Sequence, residues 1–319
     1  MKKYLASWEV KVGDKTLGQH ELVLDRLMTF CAGRGAIYMS DLTVDLLEDF
    51  KIEGLPSAAS TSKATWIAKL RCFLKEAYRR EWITESLREK VTAHKAVYEQ
   101  KKPYEEEEVA LILAEALKLN GGTHGYASKS KTFRLLLDLM LETGMRAGDA
   151  VRFDPAVLVR GEHLWIYTLY PQKQDKDEVP KLLDAYLTNN LKTTIDNCEW
   201  LSSTRPFMWG EFRNPNYLAN EVYYRMQSIG ERCGVEDCRP HRLRDTFAVR
   251  KLLAGTSIDD LSRLLGHSSV KITEQYYARW CRSRRARLEG VVAASLSIHR
   301  HTPILSCLFY SERFFKNRF

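Results

Sequence analysis

Five side chains between Pro240 and Trp280 have the types that phosphoryl transfer to a protein nucleophile requires. His241 and Arg244 stand three residues apart, His267 follows Leu265 and Gly266, and Tyr276 and Tyr277 come shortly after. A guanidinium fork matches two phosphate oxygens and keeps its charge, imidazoles move protons near neutral pH, and a phenol is a nucleophile once helped. The help is needed because a free phenol has a pKa of about 10.

Local helix rules account for how these groups are delivered. The i, i+3 spacing puts His241 and Arg244 together at a helix start, with Val249, Leu252 and Leu253 on one apolar stripe. Gly255 ends that helix. Thr256 or Ser257 caps the next one, with Asp259 or Asp260 behind it, and Ile258, Leu261, Leu264 and Leu265 face inward as far as Gly266. His267 thus falls at a helix C-terminus, before a last amphipathic segment that carries both tyrosines. Upstream, 132–142 reads as a helix burying Phe133, Leu136, Leu137 and Met140. It runs into Thr143-Gly144-Met145-Arg146-Ala147-Gly148-Asp149, where Gly144 permits a tight corner that presents Arg146. A surface arginine paired with Asp149 is the ordinary alternative at that corner.

The ordered set Thr-Gly-x-Arg, His-x-x-Arg, Leu-Gly-His and Tyr resembles the boxes of the tyrosine recombinases, the phage-integrase family of DNA strand-exchange enzymes. A lone His-x-x-Arg would carry almost no weight; the series in order is specific. The resemblance implies a catalytic set of Arg146, Lys173, His241, Arg244, His267 and Tyr277, with Tyr276 as the alternative nucleophile. Tyr276 lies at the family's commonest spacing from His267, whereas 273–280 resembles a subgroup ending Thr-Glu-Lys-His-Tyr-Ala-Pro-Trp, which aligns its only tyrosine with Tyr277. Adjacent helical residues point about 100° apart, so one of the two rings must be packing. The family carries its lysine on a β-hairpin, often as Lys-Thr-Gly. Here Lys173-Gln174-Asp175 departs from that pattern, and Lys176 and Lys181 stand as alternatives to Lys173.

The reaction implied is site-specific cutting and rejoining of DNA through a covalent 3′-phosphotyrosyl intermediate, with no cofactor, no ATP and no metal. The partners implied are double-stranded DNA and further copies of the chain, as a tetramer on paired sites. Two other readings use similar residues: a type IB topoisomerase that relaxes DNA, and a decayed integrase acting as a DNA-binding regulator. A pure binder has no use for a tyrosine beside two arginines.

Composition agrees with a nucleic-acid partner without deciding it. The 319 residues suffice for two domains, and a net charge of +8 favours a polyanion. The N-terminus shows no secretory pattern and no apolar run reaches a membrane span, which gives the expectation of a cytoplasmic, nucleoid-associated protein. Seven scattered cysteines suit a reducing compartment. Cys233 and Cys238 lie near His241, but a fourth ligand at zinc spacing is missing, so no metal site is expected.

The fold expected is mainly α with a small antiparallel β-sheet, in two domains. The first, 1–100, reads as a helical bundle: 20–31 with Leu24, Leu27, Met28 and Cys31 inward, a helix after Thr43, and a long helix over 60–83. Lys63, Lys69, Arg71, Arg79 and Arg80 on that last helix are either a solvated face or a phosphate-tracking one. The family's core-binding domain, which closes over DNA, has this pattern. Pro103 and the acidic run after it open the second, catalytic domain over 101–290, with helices at 109–119, 182–191 and 217–233 and one clear strand at 163–170, where Leu164, Ile166 and Thr168 share a face. The aromatic tail, 291–319, is either a protomer-docking element or an extension without function.

Overall fold

The computed structural model describes residues 2–9, 14–55, 59–97, 102–118, 128–171, 181–198, 207, 215–281 and 288–293. Contacts divide the chain into two units, Met1–Glu99 and Gln100–Phe319.

The first unit is helical: α1 (Lys2–Glu9), α2 (Asp14–Gly33), α3 (Val44–Asp49), α4 (Ser60–Arg79) and the short α5 (Leu87–Lys90). Thr43 caps α3 by accepting the Leu46 N–H, and the chain leaves α3 through a π turn over Phe50–Gly54. Leu24, Leu27, Leu47, Phe50, Leu70, Phe73 and Leu74 form one apolar core. Met28, expected inside, is instead half-exposed, because the stripe of α2 passes through Val23, Leu24, Leu27 and Cys31 and leaves Met28 at its edge. Helix α4 also stops earlier than its periodicity suggests. Glu81 takes a positive φ of 58° and Trp82 donates back to the Ala77 carbonyl, so Trp82 and Ile83 pack from a turn beyond the helix.

The second unit contains α6 (Glu106–Ala116), α7 (Ser128–Thr143), α8 (Ala147–Ala150), strands β1 (Val159–Arg160), β2 (Trp165–Leu169) and β3 (Leu183–Leu187), then α9 (Asn189–Asp196), α10 (Pro215–Cys233), α11 (Pro240–Leu253), α12 (Ile258–Leu264) and α13 (Val270–Tyr277). The three strands form an antiparallel sheet in the order β1-β2-β3, with Tyr167 opposite Ala185. Two expectations change here. Residues 183–187 are a strand and not the start of a helix, because Leu183, Ala185 and Leu187 alternate with exposed Asp184 and Tyr186 at the period of a half-buried strand. The helix begins after it, capped by Thr188, whose hydroxyl accepts the Leu191 N–H. On β2 the face turned to the core is Tyr167 and Leu169, opposite the one carrying Leu164, Ile166 and Thr168.

Helix α11 is nearly surrounded. Arg242, Leu243, Arg244, Asp245, Thr246 and Phe247 are all buried, so polar side chains go inside with their partners. Leu253, assigned to the apolar stripe, is 57% exposed at the helix end, whereas its neighbour Leu252 is buried. Arg242 donates to the carbonyls of Lys102, Pro103 and Glu236 and to the Glu108 carboxylate, with its guanidinium over the Tyr104 ring. Tyr104 in turn donates its N–H to the Thr246 hydroxyl. The entry to the unit is thereby held against the helix that bears His241 and Arg244.

Candidate active site

Gly144 makes the first corner. It ends α7 with a φ of +68°, and a Cβ on it would lie 2.3 Å from the Phe247 ring of α11. Both facts demand glycine: the left-handed backbone disfavours other L-residues, and the ring occupies the space. Arg146 follows as the N-cap of α8, its carbonyl accepting from the N–H groups of Asp149 and Ala150. Its guanidinium stands 3.9 Å from the buried Asp149 carboxylate, and its side chain is 28% exposed. Gly144→Ala should lower stability by roughly 2 kcal/mol or more, from strain and overpacking together. Thermal unfolding should then show a melting temperature several degrees lower; an unchanged melting temperature would contradict the corner geometry.

Arg244 reaches the same corner from α11. It is 1% exposed and donates to the Gly144 carbonyl at 2.6 Å and to the Leu265 carbonyl, which joins the first arginine box to the Leu-Gly-His turn. Burial, and then the charge of Arg146, pulls its pKa down to about 9, while Tyr277, Asp149 and Asp245 act the other way. It stays protonated at neutral pH. Two guanidinium groups this close repel each other, and an anion placed between them relieves the repulsion. The Asp149 and Asp245 carboxylates offset part of that repulsion.

Gly266 closes α12 with a φ of +58°. Its N–H donates to the Arg263 carbonyl and the His267 N–H to the Ser262 carbonyl, a Schellman ending that requires the left-handed residue. The Leu183 side chain packs beneath Gly266, so β3 supports the turn. His267 emerges half-buried, with Nδ1 hydrogen-bonded to the Thr273 hydroxyl at 2.8 Å, which fixes the ring against α13.

Tyr277 ends α13 pointing inward and is 2% exposed. Its hydroxyl donates to Asp245 Oδ1 at 2.6 Å, and its pKa is raised, first by burial and then by the Asp245 charge, with Arg244 opposing. Tyr276 is half-buried at the edge of the same small core, its ring 6.5 Å from that of Tyr277. His241 lies at the start of α11, 51% exposed, with Nε2 3.9 Å from Asp245 Oδ1.

The structure therefore brings Arg244 into electrostatic range of both Arg146 and Tyr277, with His241 beside Asp245 and His267 attached to α13. Lys173 and its alternative Lys176 lie outside the described residues, and Lys181 is exposed before β3. Of the basic set on α4, Lys63 and Lys69 are half-buried, Arg71 donates to the Val91 carbonyl, and Arg79 and Arg80 both grip Glu76. Two of these five cations thus share one glutamate. The aromatic tail beyond 293 also lies outside the described residues. Among the described residues, no group of three or more His, Cys, Asp or Glu side chains is placed to hold a metal ion, and no helix is long and apolar enough to cross a membrane. Cys238 is buried, with its thiol pushed up to about 11, chiefly by that burial.

Sequence reasoning missed Asp245 and Thr273. Asp245 is four residues from His241 on a helix, a spacing that brings side chains together, so its proximity to the histidine was readable. Its bond to a tyrosine 32 residues away was not.

Comparison with known proteins places these features. The model of the phage integrase family matches residues 102–281, and that of the phage integrase SAM-like domain matches residues 1–93. Tyrosine recombinase XerA of Thermococcus kodakarensis is 30% identical over 152 residues, covering 46% of this chain and 50% of that protein. The chain spans about half the length of the archaeal XerA relatives it matches. Tyrosine recombinase XerD of Bifidobacterium longum is 24% identical over 268 residues, covering 82% of this chain and 85% of that protein. Among solved structures, XerH bound to palindromic difH substrate in a post-cleavage complex superposes with a TM-score of 0.63 at 15% identity, covering 88% of this chain and 80% of that one. A lambda integrase (75–356) dimer bound to a COC′ core site gives 0.62 at 17%, covering 89% and 94%. At these identities the superpositions show a shared two-domain fold.

Proposed function

We propose a function that starts from the family: the chain belongs to the phage integrase family, whose model spans residues 102–281. It acts as a site-specific DNA recombinase that cuts and rejoins strands through a phosphotyrosine link. The observation that supports the proposal is that Arg244, from the second arginine box, lies within electrostatic range of both Arg146 and Tyr277.

The Tyr277 oxygen forms a bond to phosphorus as the bond to the 5′ oxygen breaks, leaving a 3′-phosphotyrosyl protein and a free 5′ hydroxyl. Arg146 and Arg244 hold the non-bridging oxygens and stabilise the charge that grows on them. His241 and His267 hydrogen-bond to the phosphate and assist proton transfer to and from the tyrosine, and Lys173 protonates the departing 5′ oxygen. Attack by a 5′ hydroxyl from a second site reverses the step and completes the exchange. The phosphotyrosine keeps the bond energy, so no ATP is needed.

The substrate is double-stranded DNA, on which the chain works as a tetramer over paired sites, with the nucleoid of the cytoplasm as its place of action. Lys63, Lys69, Arg71, Arg79 and Arg80 supply phosphate contacts from the first unit. Arg79 is the best placed of these, since its side chain is 66% exposed despite its bond to Glu76. A suicide substrate, nicked so that the 5′ product diffuses away, should trap a covalent protein–DNA adduct; its absence with any cognate site would sink the proposal.

Two guanidinium groups and a general acid provide the charge that a divalent ion supplies in other phosphoryl-transfer sites. Cleavage in excess chelator should accordingly proceed at the rate seen with magnesium. Activity that vanishes with chelator and returns with magnesium would point to different chemistry.

A further inference from the structure

We infer that Asp245 is a positioning residue that sheathes the Tyr277 phenol in the resting protein, so that strand cleavage begins with the breaking of this hydrogen bond. The inference rests on the assignment of Tyr277 as the nucleophile. The geometry is direct. The phenol hydroxyl lies 2.6 Å from Asp245 Oδ1, both residues are at most 2% exposed, and Tyr277 packs with Phe247, Val249, Leu252, Leu261 and Leu265 in a small apolar core of their own. An attacking oxygen must present a lone pair to phosphorus, and a phenol enclosed in this core and tied to a carboxylate does not.

Two roles are open to a carboxylate in that place, and magnitude separates them. As a general base it would take the phenol proton, but an ordinary carboxylate has a pKa near 4 and a phenol about 10, a gap of roughly six units. As a sheath it need only hold the neutral phenol and repel the phenolate, which a charged acceptor in a low-dielectric core does well. The second role fits. The charged and titratable groups near the pair also permit release: Arg244 lies on the same helix with Arg146 beside it, His241 Nε2 stands 3.9 Å from the same Oδ1, and Tyr276 adjoins Tyr277. When the phenol withdraws, Arg244 remains to balance Asp245, with the His241 ring 3.9 Å away, so it is not left as an isolated buried charge.

Asp245→Asn keeps the size of the side chain and removes the charge. Nitration of the DNA-free protein with tetranitromethane, followed by mass spectrometry of the peptide carrying both tyrosines, reads phenol access without any cleavage, with Tyr276 as internal reference. In the wild type, Tyr277 should be nitrated about tenfold less than Tyr276, and Asp245→Asn should erase most of that difference, the loss of one charge-assisted hydrogen bond. An unchanged ratio in the variant would overturn the sheath, since burial alone would then explain the protection. Single-turnover cleavage of a suicide substrate at saturating DNA gives the second reading: the variant should form adduct at least as fast as the wild type. A fall of more than about tenfold would make Asp245 a proton acceptor and not a sheath. If the wild type forms no adduct at all, the assigned reaction fails while the nitration result still stands on its own.

Discussion

Tyr277→Phe is expected to abolish the covalent protein–DNA adduct, and Tyr276→Phe to leave it in place. The phenylalanine has no oxygen to attack phosphorus, so the loss is of the whole covalent route and not of a fraction of its rate. The direction of the two rings supports the choice between neighbours. Tyr277 turns inward to the Arg244 side of α13, whereas Tyr276 packs at the rim of that core. Removing the Tyr277 hydroxyl also takes one partner from Asp245, with an expected destabilisation of about 1–3 kcal/mol. Circular dichroism and DNA binding should therefore be measured on the same preparation, to separate a folded, inactive protein from an unfolded one. The adduct itself, trapped on a suicide substrate and digested, should carry its modification on Tyr277. A modified Tyr276, or an adduct surviving in Tyr277→Phe, transfers the role. A wild type that binds DNA and never forms an adduct would favour a decayed integrase that acts as a regulator.

Arg146→Ala and Arg244→Ala should each remove cleavage while DNA binding persists. Loss of one donor to the transition-state oxyanion typically costs about 3 kcal/mol or more, on the order of a hundredfold or greater in rate. Affinity is shared among many phosphate contacts, so one fewer changes it little. The structure separates the two variants in a second way. Arg146 is partly exposed, and the Asp149 carboxylate is 3.9 Å away, so Arg146→Ala should leave thermal stability nearly intact. Arg244 is enclosed and satisfies the carbonyls of Gly144 and Leu265, so its truncation strands two acceptors and should also cost several kcal/mol of stability. Arg146→Ala is thus the cleaner test of chemistry. Gel-shift titration beside suicide-substrate cleavage reads both quantities, and wild-type cleavage by Arg146→Ala would refute the phosphate-clamp assignment.

Much of this was legible in the residues alone. The boxes at 143–149, 240–244 and 265–267 are short and local, and each works because a glycine, a proline or a helix end imposes the same backbone wherever the box occurs. Helices α4, α7 and α10 are equally local, since an apolar stripe at period 3.6 reports its buried face without knowledge of what covers it. Where the stripe meets an edge the reading fails, as at Met28 and Leu253, because exposure there depends on the neighbour. The strand at Leu183–Leu187 was misread for a related reason: the segment is only five residues long and runs straight into a helix, and pairing with Trp165–Leu169, a partner about 18 residues away, fixes it as a strand. Only tertiary structure could show that Arg244 is gripped by carbonyls 100 and 21 residues distant, or that the Tyr277 phenol rests on Asp245. Sequence determines which groups are available and the local geometry that bears them; a hydrogen bond between side chains far apart in the chain exists only once the cores have packed, and it is that packing which here determines which tyrosine faces inward and what holds it.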